Sequence, residues 1–504
     1  MRESGILLPV FSLPGEYGIG GFSKEAYDFV DWLVKCRQRY WQILPLCPTG
    51  FGASPYQSYS TFAGNIYYIS LEELEKEGLL TKEELASQKM PENEEFIDYE
   101  RLESSRRSIL RTAFGRFKPD EKFEVFCEDN REWLDDYARF MTLKEIFSDK
   151  PWTEWDREYK LRHKKALARL DREYEKGQLF YKFLEYKFAK QWSELKAYAN
   201  EKGVLIIGDI PIYVAMDSAD TWSNPELFKF DKELKPTVVA GCPPDYFSPE
   251  GQLWGNPVYN WKKHEKTGYE WWIKRLKHCF KIYDMLRLDH FRGFASYYEI
   301  KSSEKTAMNG EWIKGPGMDF FNRIKVELGD VPVIAEDLGL LTPDVFELLD
   351  ESGYPGMKVL CFAFDDTHDS LYLPHKYNKN CVVYTGTHDN DTLVGWLQKV
   401  GESERKFICD YVGMYDCSNE DLAFGIIRLA MGSVADLAVI PMQDYLGLDS
   451  NARINTPATI GCNWKWRMRP GSTSDYLVGK IGWVTELFGR AAKEDTPAEE
   501  KIDR

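Results

Sequence analysis

An α/β fold of parallel strands buried on both faces is the architecture this 504-residue sequence predicts. Short, near-continuous apolar runs recur along the chain, and helical patterns separate them. Five of those runs also end in an acidic residue, which bears on function as well as fold. A (β/α)8 barrel and an open doubly wound sheet both satisfy this pattern.

The strand candidates are, in order, residues 41–46 (WQILPL), 66–70 (IYYIS), 204–209 (VLIIGD), 285–289 (MLRLD), 331–336 (VPVIAE), 357–364 (MKVLCFAF), 381–389 (CVVYTGTHD) and 437–444 (LAVIPMQD). Between them lie helical signals. Phe180, Phe183, Leu184, Phe188, Trp192 and Leu195 share one helical stripe, and Gly203 suits its end. Thr342 and Pro343 read as a cap followed by proline at the first helical position, with Gly353 at the far end.

Two segments exceed the minimal repeat. Residues 71–200 are rich in charge and aromatics and are expected to form a helical insertion. Residues 230–265, dense in Gly, Pro, Trp and Tyr, are expected to form a loop insertion that covers a site. A charged tail follows Ala491.

Composition narrows the function classes. A hydrophobic fraction of 43% supports a large core, and the net charge of -16 disfavours phosphate backbones and anionic membrane surfaces. Ten scattered cysteines, without a C-x-x-C pair, point to a reducing compartment and give a zinc site little support. The N-terminus lacks a secretory pattern, and no apolar run reaches the roughly 18 residues of a spanning helix. The expected location is the cytoplasm.

The acidic strand ends are Asp209, Asp289, Glu336, Asp389 and Asp444. In a parallel barrel all such ends point to one face. A single acidic residue after a strand is commonly a helix cap, so Asp209 or Asp444 alone proves little. Arg287 lies two positions before Asp289, hence on the same strand face, and a neighbouring guanidinium favours an ionised carboxylate. Hydrolysis or transfer of a glycoside needs one ionised nucleophile and one neutral acid. Parity leaves Glu336 and Asp337 as alternatives for the acid. Loop aromatics suit the C–H faces of a sugar, with Tyr56 (GFGASPYQSYS) and Trp254 (GQLWGNP) the favoured pair.

With these residues in view, RLDHFRG (287–293), AEDLG (335–339) and THDN (387–390) resemble the catalytic blocks of the amylomaltases, the 4-α-glucanotransferases related to the α-amylase clan. The likeness extends through SLPGEYGIG, RYWQILPL, SPYQSYSTFAGN, GDIPIYVAMDSADTW, GQLWGNPVYNW and NTPATIGCNWKWR, in family order. The resemblance implies a single (β/α)8 barrel with helical and loop insertions and no C-terminal β-sandwich domain. It implies Asp289 as nucleophile, Glu336 as general acid/base, and Asp389 as the residue that grips the reacting sugar. Tyr56, Ser54, Asp209, Gln252, Trp254, Asn256, Arg287 and His388 would bind substrate. Ala458 replaces a more usual glycine in NTPATIG.

The resemblance further implies transfer of α-1,4-glucan segments between maltooligosaccharides, with no cofactor or metal and a monomeric or homodimeric enzyme. An α-glucan hydrolase using the same carboxylates is the alternative. A metal-dependent barrel enzyme and a non-catalytic glucan-binding barrel are the remaining rivals, and retention of Asp289, Glu336 and Asp389 speaks against the latter.

Overall fold

The structure, a computed structural model, describes residues 2–90, 95–244, 249–339, 341–365 and 367–492. Residues 245–248 of the expected covering loop, and the charged tail from 493 onward, lie outside the described residues.

Eight parallel strands form the central barrel: β1 (Glu3–Leu7), β2 (Tyr40–Gln42), β3 (Leu205–Ile210), β4 (Met285–Leu288), β5 (Val333–Ala335), β6 (Gly356–Val359), β7 (Cys381–Tyr384) and β8 (Leu437–Pro441). Their neighbours run β6-β7-β8-β1-β2-β3-β4-β5. The ring is joined where the Ala335 N–H at the end of β5 donates to the Pro355 carbonyl beside β6, at 2.9 Å. The barrel reading of the sequence therefore holds, and the open sheet does not.

One strand assignment is corrected. Residues 66–70 do not form a strand; Ile66–Tyr68 is a 3-10 turn capped by the Asn65 side chain, which accepts from the Tyr67 N–H. The eighth strand is instead β1, paired with both β8 and β2. Gly5 allows that pairing, since a Cβ there would lie 2.6 Å from the Cβ of Tyr40 and 2.7 Å from its carbonyl oxygen. The run around Glu3–Leu7 is short and continues into Leu8, Pro9, Val10 and Phe11, so its pairing with both neighbours is what defines it as a strand.

Alternation along the strands divides two apolar layers. Leu7, Tyr40, Ile207, Ile334, Met357, Val359, Val382, Tyr384, Leu437 and Val439 pack together from different strands and fill the barrel interior. Residues of the other parity, such as Ile6, Trp41, Ile206, Leu286, Ala335 and Val383, pack into the larger core with the helices. Period two then carries the interior face from Ile207 to Asp209 and from Ile334 to Glu336.

Between β2 and β3, residues 71–201 are mostly helical, ending in the long helix Glu175–Glu201. Its buried stripe includes Phe180, Phe183, Leu184, Phe188, Trp192 and Leu195, and Gly203 follows with φ of 80°. Helix Pro343–Ser352 has Thr342 as its N-cap and ends on Gly353 in the left-handed region. The segment 230–265 is more regular than a loop. It supplies strands Val238–Cys242 and Gln252–Pro257, which join Ser296–Lys301 and Gly310–Lys314 in a four-stranded antiparallel sheet outside the barrel. Among the described residues no helix is long and apolar enough to cross a membrane.

Candidate active site

The C-terminal ends of β3, β4 and β5 bring three carboxylates to one side of the barrel mouth. Asp209, fully buried, is the innermost. Arg287 Nη1 lies 2.9 and 2.8 Å from its two oxygens and 2.9 Å from Asp289 Oδ1. The Tyr56 hydroxyl donates to Asp209 Oδ2 at 2.8 Å, so the second βα connection closes over the same cluster. The backbone sets the register: Asp289 N–H donates to Ile210 O, and Glu336 N–H to Leu288 O, both at 3.0 Å.

Glu336 and Asp337 separate cleanly. Glu336 lies on the interior face and accepts from the backbone N–H groups of His290 (2.6 Å) and Leu338 (3.0 Å). Asp337 turns to the outer face and accepts from the Met357 N–H at 2.6 Å. Burial raises Asp337 to about 6, with Lys358 and the Met357 N–H opposing. It ties β5 to β6 and lies away from the Arg287 cluster.

Burial dominates the electrostatics of Asp289 and Glu336. It pushes Glu336 well above the usual carboxylate range; Arg287 and the two N–H donors pull it back, while the Asp289 charge pushes it further. Burial also raises Asp289, against the pull of Arg287, with the charges of Asp209 and Asp389 adding to the rise. Arg287, expected to favour the ionised form of Asp289, does lower its pKa. The Arg287 charge is shared with Asp209, and burial still leaves both Asp289 and Glu336 raised.

Asp389 arrives from beyond β7. The Asn455 carboxamide donates to its Oδ1 at 2.6 Å, and His388 Nε2 is 3.4 Å from the same oxygen. Arg453 Nη2 donates to the Asp389 carbonyl at 2.5 Å, while its Nε donates to the Asn455 carbonyl at 2.7 Å. The Tyr56 and His388 rings stack with centroids 5.2 Å apart and planes at 17°, and Trp464 leans on both. Tyr56 links the two sides of the mouth, its hydroxyl on Asp209 and its ring against His388, the neighbour of Asp389.

One strand of the outer sheet packs beside this cluster. Along Gln252–Pro257, Trp254 Nε1–H donates to Gln252 Oε1 at 3.1 Å. Asn256 donates to the Val214 carbonyl at 2.9 Å and accepts from Gln57 at 3.1 Å. Trp254 meets the His290 ring edge-on, 4.9 Å between centroids. Ser54 is local in its contacts: its hydroxyl accepts from the Tyr56 N–H at 3.2 Å and shapes the turn that presents Tyr56.

Asp444 does not join the cluster. The run expected as one strand leaves the barrel at Pro441 and becomes helix Met442–Leu446. The Asp444 carboxylate accepts from Thr385 Oγ1 at 2.6 Å and from Leu393 N–H at 2.8 Å, at the start of helix Leu393–Leu397. Asp444 is not the N-cap of its own helix, a place held by Pro441; it instead satisfies a free N–H in the first turn of a neighbouring helix, whose N-cap is Thr392.

Three residues of the site escaped the sequence reading. Asn455 and Arg453 support Asp389 from a remote loop, a pairing across more than sixty positions that no local pattern announces. His290 sits between Asp289 and the Phe291 turn with φ of 52°. Burial, then the Arg292 charge, lowers it to about 3, so its imidazole is neutral. Among the described residues, no three His, Cys, Asp or Glu side chains form a metal-holding group.

With this geometry established, known proteins give it a family. The family described as 4-alpha-glucanotransferase, glycoside hydrolase family 77, matches residues 8–473. The chain is 48% identical over 485 residues to a 4-alpha-glucanotransferase of Clostridium butyricum, covering 95% of this chain and 99% of that one. It is 45% identical over 500 residues to one of Thermus thermophilus, covering 97% and 99%. The solved amylomaltase of Streptococcus agalactiae in complex with acarbose superimposes with a TM-score of 0.94 at 40% identity, covering 97% of this chain and all of that one. A barrel of matching topology, and likeness over nearly the whole length of both sequence and structure, lead to one conclusion: the chain belongs to the 4-alpha-glucanotransferase family.

Proposed function

We propose that this protein transfers α-1,4-glucan segments to a sugar 4-hydroxyl by a retaining double displacement. The observation that carries the reading is a pair of carboxyls at the ends of neighbouring strands in unlike surroundings: Asp289 lies against the Arg287 guanidinium, and Glu336 is held by the backbone N–H groups of His290 and Leu338. In the first half, the Asp289 carboxylate attacks the anomeric carbon while Glu336 gives its proton to the departing glycosidic oxygen. The shortened glucan leaves with a free 4-hydroxyl. In the second half, ionised Glu336 takes the proton of an acceptor 4-hydroxyl, whose oxygen attacks the same carbon and releases Asp289. Two inversions retain the α configuration.

Asp389, braced by Asn455, grips sugar hydroxyls as the ring flattens, with His388 beside it. Arg287 and Asp209 form the charged floor, and Tyr56 and Trp254 offer apolar ring faces to the glucan. The whole chain serves as one catalytic barrel; residues 71–200 buttress one side, and 230–265, with Gln252, Trp254 and Asn256, cover the acceptor side. Maltooligosaccharides and α-1,4-glucans are donor and acceptor, and the working form is a monomer or homodimer. The acarbose held by the Streptococcus agalactiae relative supports a glucan-shaped site.

Incubation with maltotriose tests the reaction. Transfer yields glucose and a ladder of longer oligosaccharides at constant reducing ends. Rising reducing ends without longer products would replace transferase by hydrolase.

A further inference from the structure

His290 occupies a left-handed backbone conformation, with φ of 52°. For a residue with a Cβ this conformation is strained, and such strain persists only where the surroundings enforce it. Two consecutive N–H groups are aimed by this turn. His290 N–H meets Glu336 Oε2 at 2.6 Å, and Phe291 N–H meets the Glu336 carbonyl at 3.0 Å. The same residue's neutral ring meets Trp254 of the outer sheet edge-on. One residue thus touches the cover with its side chain and holds the reacting carboxyl with its backbone.

That arrangement matters differently in the two halves of the reaction. A backbone N–H pointed at a carboxyl favours its ionised form. Glu336 needs that form only in the second half, when it takes a proton from the acceptor. The Trp254–His290 ring contact is the path by which a sugar seated against Trp254 would reach the turn carrying the N–H. A water molecule entering alone makes no such contact.

We propose that His290 is a positioning residue that couples a sugar seated on Trp254 to the Glu336 carboxyl, and so favours a sugar hydroxyl over water in the second half of the reaction. This rests on the reading of Glu336 as acid/base.

The test is a double-mutant cycle on maltotriose, reading the ratio of transfer to hydrolysis from longer products and reducing ends. His290→Asn removes the ring while keeping a residue tolerant of the left-handed region. The ratio should fall about five-fold or more in His290→Asn and in Trp254→Ala, and the double variant should be no lower than the worse single one, as for residues acting in one chain. A ratio in His290→Asn within about two-fold of the parent, or effects that multiply in the double variant, overturns the coupling. Should thermal melting show His290→Asn unfolded, His290→Gly carries the same test, since glycine keeps the turn and lacks the ring. Glu336→Gln separates the two readings. Near-normal turnover there removes the acid/base assignment and the coupling with it. Lost turnover there with an unchanged ratio in His290→Asn removes only the coupling.

Discussion

Arg287 reaches Asp209 and Asp289 through a single nitrogen, Nη1, which lies within 2.9 Å of both Asp209 oxygens and of Asp289 Oδ1. One buried cation therefore serves two carboxylates. Asp209 takes two of the three contacts, and what remains for Asp289 is too little to offset its burial.

Replacing Arg287 with Met should leave that cluster without a counter-charge. Removing one partner of a buried pair costs about 3–5 kcal/mol, and denaturant unfolding should show a loss on that scale. The acid limb of the rate profile should also move up, because Arg287 lowers Asp289. Unchanged stability would mean that the Asp209 and Asp289 carboxylates find other partners.

The pH dependence of kcat/KM should be bell-shaped. Asp289 must lose its proton to attack, and its folded value is raised, so activity falls as pH drops through a point above the ordinary aspartate value of about 3.9. Glu336 must keep its proton for the first half, and it too is raised, so activity survives well above the ordinary glutamate value and falls as pH rises through the displaced one. An acid limb at the ordinary aspartate position would contradict the burial argument.

Glu336→Gln and Asp337→Asn should fail in different ways. The first removes a positioned acid and should lower turnover about 10²–10⁴-fold with the fold intact. The second disturbs the buried carboxylate that accepts from Met357 N–H and should cost about 1–3 kcal/mol of stability while sparing much of the chemistry. Paired turnover and melting measurements check both, and a reversed pattern would exchange the two roles.

Asn455→Ala removes the 2.6 Å bond to Asp389 Oδ1 and frees that side chain. A hydrogen bond to a charged group is worth about 1.5–3 kcal/mol, so kcat/KM should drop about ten-fold or more if Asp389 must be held still. Steady-state kinetics on maltotriose decides it.

Ala458 adopts φ of 61° in an exposed loop between Thr456 and Asn463. Glycine relieves a cost of about 1–2 kcal/mol but gives back about 0.4–1 kcal/mol through a freer unfolded chain. Ala458→Gly should therefore gain about 0.5–1 kcal/mol by thermal melting. A loss would mean that the loop draws rigidity from the alanine.

Much was legible in the amino-acid order because burial on both faces leaves a direct record. Seven of the barrel strands are visible as apolar runs, and the caps of Pro343–Ser352 are written in Thr342, Pro343 and Gly353. Glu3–Leu7 and the false strand at 66–70 differ only in their partners, which a local pattern does not contain. The same limit applies to the acids. Alternation says that Glu336 and Asp337 point opposite ways; only ring closure decides which way is inward. Asp444 meets the Leu393 N–H because the chain turns at Pro441, and Asn455 reaches Asp389 because the last connection folds back over the mouth. Periodicity and residue chemistry are local properties of a chain. Facing, sharing of one cation among two anions, and support across sixty positions exist only once distant segments occupy the same few ångströms.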